Sequence, residues 1–147
     1  MKAILLFIVL GLAFTYNPSA AVQYSKKYCS HYNSDYNNYA GKGGDCANFV
    51  SQCLKAGGFS FSGCSGTDNK GMIPGVSNLK SCLKQKGWKS SSSKPSGFKA
   101  GYPVFVKSYS HAMLAVGFSG SNVLVGSHTN DRCGSGFAAS KLDFYYP

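Results

Sequence analysis

The stretch "GGDCANFVSQCLKAGG", from Gly43 to Gly58, decides how this chain folds. Apolar residues recur in it with helical period, Asp45 stands where an N-cap is expected, and two glycines close it. It therefore predicts a largely buried helix with Cys46 in its first turn and Cys53 two turns later. Two cysteines so placed cannot easily bond each other, which leaves the role of Cys46 to be explained.

The position of Cys46 favours its reactive form. A thiol attacks an amide carbonyl only as the thiolate, and the N-terminal end of a helix stabilises that negative charge. The unpaired amides of the first turn can also donate hydrogen bonds to the oxyanion formed on the attacked carbonyl. Asp45 opposes the thiolate through its own charge, so a cationic histidine is expected nearby.

The residues before this helix include a stripe of tyrosines. They are spaced by four, four, four and three residues, which predicts one face of a helix that docks on the core. Asn33 weakens the helix, so we expect it to end near Tyr32 or Asn33. The stripe consists of Tyr24, Tyr28, Tyr32, Tyr36 and Tyr39.

The residues after the cysteine helix change from helical to β patterns. A short helix is predicted from Leu79 to Lys86, followed by a Ser-rich surface linker. Helices first and an antiparallel meander afterwards indicate an α+β fold. The predicted strands are Tyr102 to Lys107, His111 to Phe118, Asn122 to Ser127 and about Lys141 to Tyr145.

Two histidines stand at the ends of adjacent predicted strands. His111 begins one strand and His128 ends the next, and the tight turn between them brings these ends together. His111 is thus a candidate base for Cys46, and His128 is a candidate to orient it and fix its tautomer. Asn130 and Asp131 follow directly and are alternative third residues.

These segments resemble the putative amidase domain family, a branch of the NlpC-type and papain-like cysteine hydrolases. "DCANFVSQCLKAGG" is similar to its signature, and "HAMLAVGF" with "VGSHTND" to its histidine strands. "YSKKYCSHYNSDYNNYAGKGG" is similar to its Tyr- and Asn-rich lead-in. The likeness spans roughly Val22 to Asp131.

The resemblance implies roles for the candidate residues. Cys46 would be the nucleophile, His111 the general base and acid, and His128 the third residue. The implied fold packs the cysteine helix on the antiparallel sheet that carries the histidine. No cofactor or metal is implied.

In a secreted chain, six cysteines can form three disulfides. That pairing would include Cys46 and would leave it no free thiol for catalysis. The resemblance instead leaves Cys46 free, and Cys53 is tolerated as a small apolar residue. Two disulfides would then join the remaining cysteines in one of three connectivities. The candidates are Cys29, Cys64, Cys82 and Cys133.

The chain departs from its relatives at two positions. Tyr102 stands where the family has the acid of a Gly-Asp pair, before the strand that precedes the histidine. Ala47 follows the nucleophile, where NlpC-type peptidases have a serine that helps to hold a substrate amine. Asp45 and Tyr39 remain as candidates for that substrate-binding task.

The N-terminus is typical of a signal peptide. Lys2 precedes the apolar run Ala3 to Phe14, which is too short to span a bilayer comfortably. We expect cleavage after Ala21, which leaves 22–147 as one domain, and cleavage after Ala20 is the alternative. The mature protein would be secreted and extracellular, or would enter the lumen of a secretory or phagosomal compartment.

The charge is strongly one-sided. The sequence has 15 Lys and Arg against 5 acidic residues, a formal net charge of +10. Such a field attracts polyanions without choosing among nucleic acid, acidic glycans, bacterial walls and anionic membranes.

The function predicted from the sequence is that of a secreted thiol hydrolase. We expect it to cleave amide bonds in peptidoglycan stem peptides or in another anionic amide substrate. We expect a monomer with no nucleic-acid partner and no stable membrane insertion. The alternatives are a non-catalytic wall- or glycan-binding module and a cationic antimicrobial protein.

Overall fold

The structure, a computed structural model, describes residues 15–147. It is an α+β fold in which three helices precede a six-stranded antiparallel sheet. The helices are α1 (Pro18–Tyr28), α2 (Cys46–Ala56) and α3 (Val76–Gln85). The strands are β1 (Lys89–Ser91), β2 (Pro103–Val106), β3 (Ala112–Ser119), β4 (Asn122–Ser127), β5 (Arg132–Ala138) and β6 (Leu142–Tyr146).

The sheet has the strand order β1-β6-β2-β3-β4-β5. Strands β3 and β4 form the central hairpin, in which Leu114 pairs with Gly126 and Ser119 with Asn122. Helices α1 and α2 pack against each other, and α2 lies on β3 and β4. The start of α2 therefore lies close to the hairpin that carries the two histidines at its ends.

Two strands were not predicted. Strand β1 has only three residues and pairs with β6 at the edge of the sheet, within the segment that the sequence predicted to be a linker. Strand β5 has the sequence "RCGSGFA" and pairs with β4. Its glycines and serines hide the apolar alternation on which a strand prediction depends.

Two hydrophobic clusters cover the two faces of the sheet. The inner cluster lies between the helices and the sheet and includes Cys46, Phe49, Ala112 and Leu114. The outer cluster lies on the opposite face and is capped by Phe98, whose ring meets that of Phe144 edge to face. Cys46 is thus anchored in the core that joins α2 to β3.

Helix α1 is shorter than predicted. It ends at Tyr28, so the later tyrosines of the stripe lie in turns beyond it. Asn33 lies beyond that end, and its side chain accepts a hydrogen bond from the Asp35 amide at 3.0 Å, which stabilises a turn there.

Residues that precede the predicted cleavage site belong to the fold. The Tyr16 hydroxyl donates to the Gly101 carbonyl at 2.6 Å, and the Asn17 amide donates to the Gly57 carbonyl at 2.7 Å. Pro18 begins α1, and Ala21 is fully buried inside it. Cleavage after Ala21 would remove the first turn of α1 and these anchors. The boundary after Ala21 stays a prediction.

The cysteines divide as the resemblance implied. The structure pairs Cys29 with Cys133 and Cys64 with Cys82. Cys46 and Cys53 are free and buried. The first disulfide joins the end of α1 to β5, and the second joins α3 to the loop that follows α2.

Candidate active site

Helix α2 begins at Cys46 itself. Cys46 keeps 8% of its surface exposed, whereas Cys53 has none. Burial raises the pKa of the Cys53 thiol well above its ordinary value. Of the two free thiols, Cys46 alone therefore combines access to solvent with a helix N-terminus.

Asp45 occupies the N-cap position of α2 but does not cap the helix with its side chain. Its Oδ1 accepts hydrogen bonds from the Tyr39 amide and from Asn48 Nδ2, both at 2.9 Å. Its Oδ2 lies 2.6 Å from His128 Nδ1. The carboxylate is turned away from the helix, so it leaves the amides of the first turn uncapped by any side chain.

Asp45, one of the two predicted substrate-binding residues, is buried. The residue has 0% exposure, and protein groups bind both of its carboxylate oxygens. The carboxylate is thus occupied by His128, Tyr39 and Asn48, and its contact with a substrate amine stays a prediction.

His128 has both ring nitrogens bonded to acceptors. Nδ1 meets Asp45 Oδ2 at 2.6 Å, and Nε2 meets the Tyr28 carbonyl oxygen at 2.7 Å. The two ring nitrogens thus face two oxygen acceptors, an arrangement that favours the doubly protonated imidazolium. Burial lowers the pKa of His128, but the hydrogen bonds to Asp45 and Tyr28 outweigh burial and leave it raised.

Two aromatic rings hold the imidazolium of His128. Phe49 stacks on it with 4.1 Å between ring centroids, and Tyr32 lies at 4.6 Å. Phe49 lies one turn after Cys46 on α2. The ring of His128 is therefore fixed to the first two turns of the cysteine helix.

His111 lies in a different environment. It is only 6% exposed, its carbonyl accepts from the Val106 amide at 3.1 Å, and its ring stacks with that of Tyr109. Burial and the nearby charge of Arg132 lower the pKa of His111. His111 is therefore neutral at physiological pH, which is the state that a general base requires.

The structure does not place His128 as the orienting partner of His111. Both nitrogens of His128 are engaged by Asp45 and Tyr28, so none is left for His111. Among residues 15–147, no side-chain hydrogen bond joins His111 to Cys46, Asn130 or Asp131 either. Ala112, next to His111, nevertheless packs in the same cluster as Cys46.

A tight turn after β4 closes over the start of α2. Thr129 and Asn130 have φ values of 62° and 61°. A β-branched residue in this left-handed region is an outlier that costs of order 1–3 kcal/mol. The Thr129 hydroxyl accepts a hydrogen bond from the Asp45 amide at 3.0 Å.

A polar cleft opens beside this turn. One wall is the glycine loop that leads to Asp45, and the other wall is the turn itself. Asn130 and Asp131 are exposed along it. The lining residues include Tyr32, Gly41, Gly43, Thr129, Asn130 and Asp131.

The sequence profile of the family described as "Putative amidase domain" matches residues 15–102, more than half of the chain. The chain belongs to this family. The matched segment contains α1, the glycine loop, Cys46 and all of α2.

Other relatives of this amidase-family chain match over shorter or more distant stretches. The protein YhbB of Bacillus subtilis (strain 168) is 46% identical over 48 residues, a match that covers 33% of this chain and 14% of YhbB. The crystal structure of Ly7917 with the hydrolyzing product of MDP has a TM-score of 0.53 at 13% identity. A second structure of Ly7917 has a TM-score of 0.50 at 16% identity. Both likenesses cover 89% of this chain and 62% of Ly7917, and they show the α+β fold.

Tyr39, the other predicted substrate-binding residue of this amidase-family domain, is half-buried at the base of the glycine loop. Its hydroxyl donates to Asp68 Oδ2 at 2.8 Å, and its amide donates to Asp45. The side chain thus stabilises the loop against the segment after α2, and its contact with substrate stays a prediction.

Three groups of the site were not found from the sequence. They are the Tyr28 carbonyl, the Asn48 amide and the Thr129 hydroxyl. A usable signal existed, because an aspartate at the start of a buried helix must be paired or hydrogen-bonded. That rule points from Asp45 to a cationic partner but does not identify the backbone groups.

The part of the chain from residue 15 onward holds no group of three or more His, Cys, Asp or Glu side chains that could bind a metal ion. None of the helices in that same part is long and apolar enough to cross a membrane.

Proposed function

We propose that this member of the putative amidase domain family is a secreted thiol-dependent amidase that cleaves amide bonds in peptidoglycan stem peptides. One observation carries the proposal. Cys46 is a free cysteine at the first residue of α2 that keeps 8% of its surface exposed, and no side chain caps the amides of that turn. This geometry supports both a thiolate and the oxyanion that its attack creates.

In the proposed reaction, His111 takes the proton of the Cys46 thiol, and the thiolate attacks the substrate carbonyl. First-turn amides of α2 hold the oxyanion while the amine leaves with the proton that His111 returns. Water, activated by His111, then cleaves the thioester and frees Cys46. The contact between nucleophile and base is often long without substrate and tightens when substrate binds.

The opposite environments of the two histidines support this division of roles. The lowered pKa of His111 suits a base that must accept a proton. His128 carries two donor bonds to Asp45 and Tyr28, so it has no free lone pair. Two groups whose pKa values are pushed apart commonly mark different roles at one site. His128 then acts on Cys46 by holding Asp45 and by offsetting its charge.

The substrate class is inferred from charge and from the structural neighbour. A net charge of +10 favours an anionic polymer such as a bacterial wall. Ly7917, solved with the hydrolyzing product of MDP, shares the fold. MDP, muramyl dipeptide, is a peptidoglycan fragment. The packing of the cysteine helix on an antiparallel sheet resembles the arrangement of papain-like and NlpC-like hydrolases.

We propose that processing occurs before Tyr16, since Tyr16 and Asn17 anchor the fold. Gly11 and Ala13 provide a small-x-small pair at the end of the apolar run. Two disulfides suit an oxidising, extracellular compartment. Sequencing the N-terminus of the exported protein tests this point, and a start at Val22 would contradict it.

The decisive experiment incubates the protein with purified muropeptides and reads the products by mass. Cleavage between muramic acid and alanine identifies a muramoyl-alanine amidase, and cleavage within the stem identifies an endopeptidase. We expect Cys46→Ser to abolish cleavage while the melting temperature is unchanged. Cys53→Ala is the matched control, because it removes the other free thiol from the same helix, and it should retain activity in folded protein.

The rival functions give different results in the same assay. A cationic antimicrobial or wall-binding protein would bind walls or kill bacteria equally well as Cys46→Ser. Wild-type protein that leaves every muropeptide intact while keeping full wall binding would overturn the proposed function.

A further inference from the structure

Thr129 is the most strained described residue beside the candidate site. It is β-branched, yet it has a φ of 62°, and Asn130 after it has a φ of 61°. A hairpin turn of this kind favours Asn-Gly, which adopts both positions without strain. Backbone strain of this kind is retained where surrounding contacts impose it.

The contact made by Thr129 reaches the peptide that joins Gly44 to Asp45, the residue before Cys46. Its Oγ1 accepts from the Asp45 amide at 3.0 Å. A Cβ added at Gly44 would lie 3.1 Å from the same Oγ1, so the turn rests directly on the glycine loop. That loop contains Gly41, Gly43 and Gly44, all with positive φ, so its backbone has little intrinsic rigidity.

The side chain of Asp45 is already bonded to Tyr39, Asn48 and His128. Thr129 adds the bond to the Asp45 main chain. Together these contacts fix both the side chain and the main-chain amide of the residue immediately before Cys46.

We propose that Thr129 is a positioning residue, whose hydroxyl holds the Asp45 amide and thereby fixes the Cys46 thiol and the first-turn amides of α2 for attack. The proposal rests on the function proposed above. A glycine at this position would be less strained, but it has no side-chain acceptor for the Asp45 amide.

Three variants separate the hydroxyl from the strain. Thr129→Val keeps the β-branch and loses the acceptor, Thr129→Ser keeps the acceptor, and Thr129→Gly relieves the strain without an acceptor. We expect two rates to fall roughly tenfold in Thr129→Val and Thr129→Gly. They are kcat for muropeptides and the rate of Cys46 alkylation by iodoacetamide, measured across pH. The Ser variant should stay within about twofold of wild type, and KM should change little in all three.

A merely structural role predicts a different order. Rates would then follow the melting temperature, and Thr129→Gly, freed of strain, would equal or exceed wild type. That result, or wild-type rates in Thr129→Val, would overturn the proposal. If Thr129→Val fails to fold, the comparison of Thr129→Gly with Thr129→Ser decides between the positioning role and the structural role.

The alkylation readout separates this proposal from the proposed function. If wild type hydrolyses no muropeptide while Thr129→Val and Thr129→Gly still slow Cys46 alkylation, the positioning role stands and the amidase function fails. If wild type hydrolyses muropeptides and all three variants match it, the function stands and the positioning role fails.

Discussion

His128 Nδ1 lies 2.6 Å from Asp45 Oδ2, and the two side chains are 1% and 0% exposed. This buried ion pair joins the end of the central hairpin to the residue immediately before Cys46. It cancels the carboxylate charge that would otherwise oppose a thiolate at the start of α2. The geometry thus favours the cationic form of His128, whereas the surroundings of His111 favour its neutral form, which can accept a proton.

We expect the ion pair to be strongly coupled. Asp45→Asn or His128→Gln leaves one buried partner without its counter-charge, and each change should destabilise the fold by about 3–5 kcal/mol. The double variant should recover part of that loss, because neither charge remains. Urea unfolding of the four proteins measures the coupling.

Asp131→Asn is the matched control for these substitutions. Asp131 is exposed in the adjacent turn, so its removal should alter stability by roughly 0.5 kcal/mol or less and activity only mildly. Strictly additive losses from Asp45 and His128 would contradict the pairing.

The two histidines predict that the stability of the fold decreases on both sides of a pH maximum. The pKa of His128 is raised above 6.5, so its contribution is complete below that pH and is lost as pH rises through its folded value. The pKa of His111 is lowered below 6.5, so its contribution is lost as pH falls through its folded value. We therefore expect the free energy of unfolding to be greatest near pH 6.5, the ordinary pKa that the two histidines share.

Unfolding free energies measured between about pH 5 and pH 9 test this balance. His128→Gln should remove the loss on the alkaline side, and His111→Gln the loss on the acidic side. If His128→Gln still loses stability as the pH rises, another group causes that loss.

The two free thiols should differ sharply in reactivity. The denatured, unreduced protein should titrate two thiols, Cys46 and Cys53. In the native state, iodoacetamide should modify Cys46 and spare Cys53, which is 0% exposed and has a raised pKa. Peptide mass mapping after timed labelling distinguishes them. Zero thiols on denaturation would eliminate the catalytic role of Cys46.

The two disulfides should differ in their effect on activity. Cys29 follows Tyr28, whose carbonyl binds His128, so the pair Cys29→Ala and Cys133→Ala loosens a contact of the site. Chain entropy predicts a loss of about 4.7 kcal/mol for a loop of roughly this length. We also expect slower alkylation of Cys46 under conditions where the variant remains folded.

The pair Cys64→Ala and Cys82→Ala provides the control. It opens a loop with a sequence separation of only 18, for which the expected loss is about 3 kcal/mol. Its thiol reactivity should match wild type. Equal effects of the two pairs on Cys46 would mean that the first disulfide stabilises only the global fold.

The helix that carries Cys46 was predictable because its apolar period and closing glycines are local signals. The α+β class followed from the order of the predicted elements. Strand β5 was missed because Gly134 and Gly136 remove the alternation that would mark it. The resemblance also separated the free Cys46 and Cys53 from the bridged cysteines, but their pairing required the three-dimensional arrangement.

The partners within the site could not be predicted from local patterns. The sequence places His128 at a strand end near His111, but it does not reveal that the ring faces α2 and finds Asp45. Every residue has a backbone carbonyl, so a contact made by the Tyr28 carbonyl cannot be predicted from the residue type. The N-cap prediction for Asp45 was wrong in its chemistry because a buried cation competes with the helix amides for the carboxylate.

The contacts that fix the start of α2 join residues far apart in the chain. Asp45 and His128 are separated by 83 positions, the Asp45 amide and Thr129 by 84, and the two halves of the first disulfide by 104. Such distant pairings close slowly and late in folding. During synthesis, Cys46 therefore emerges long before the groups that fix the start of its helix. Those contacts can be complete only once the last third of the sequence has emerged.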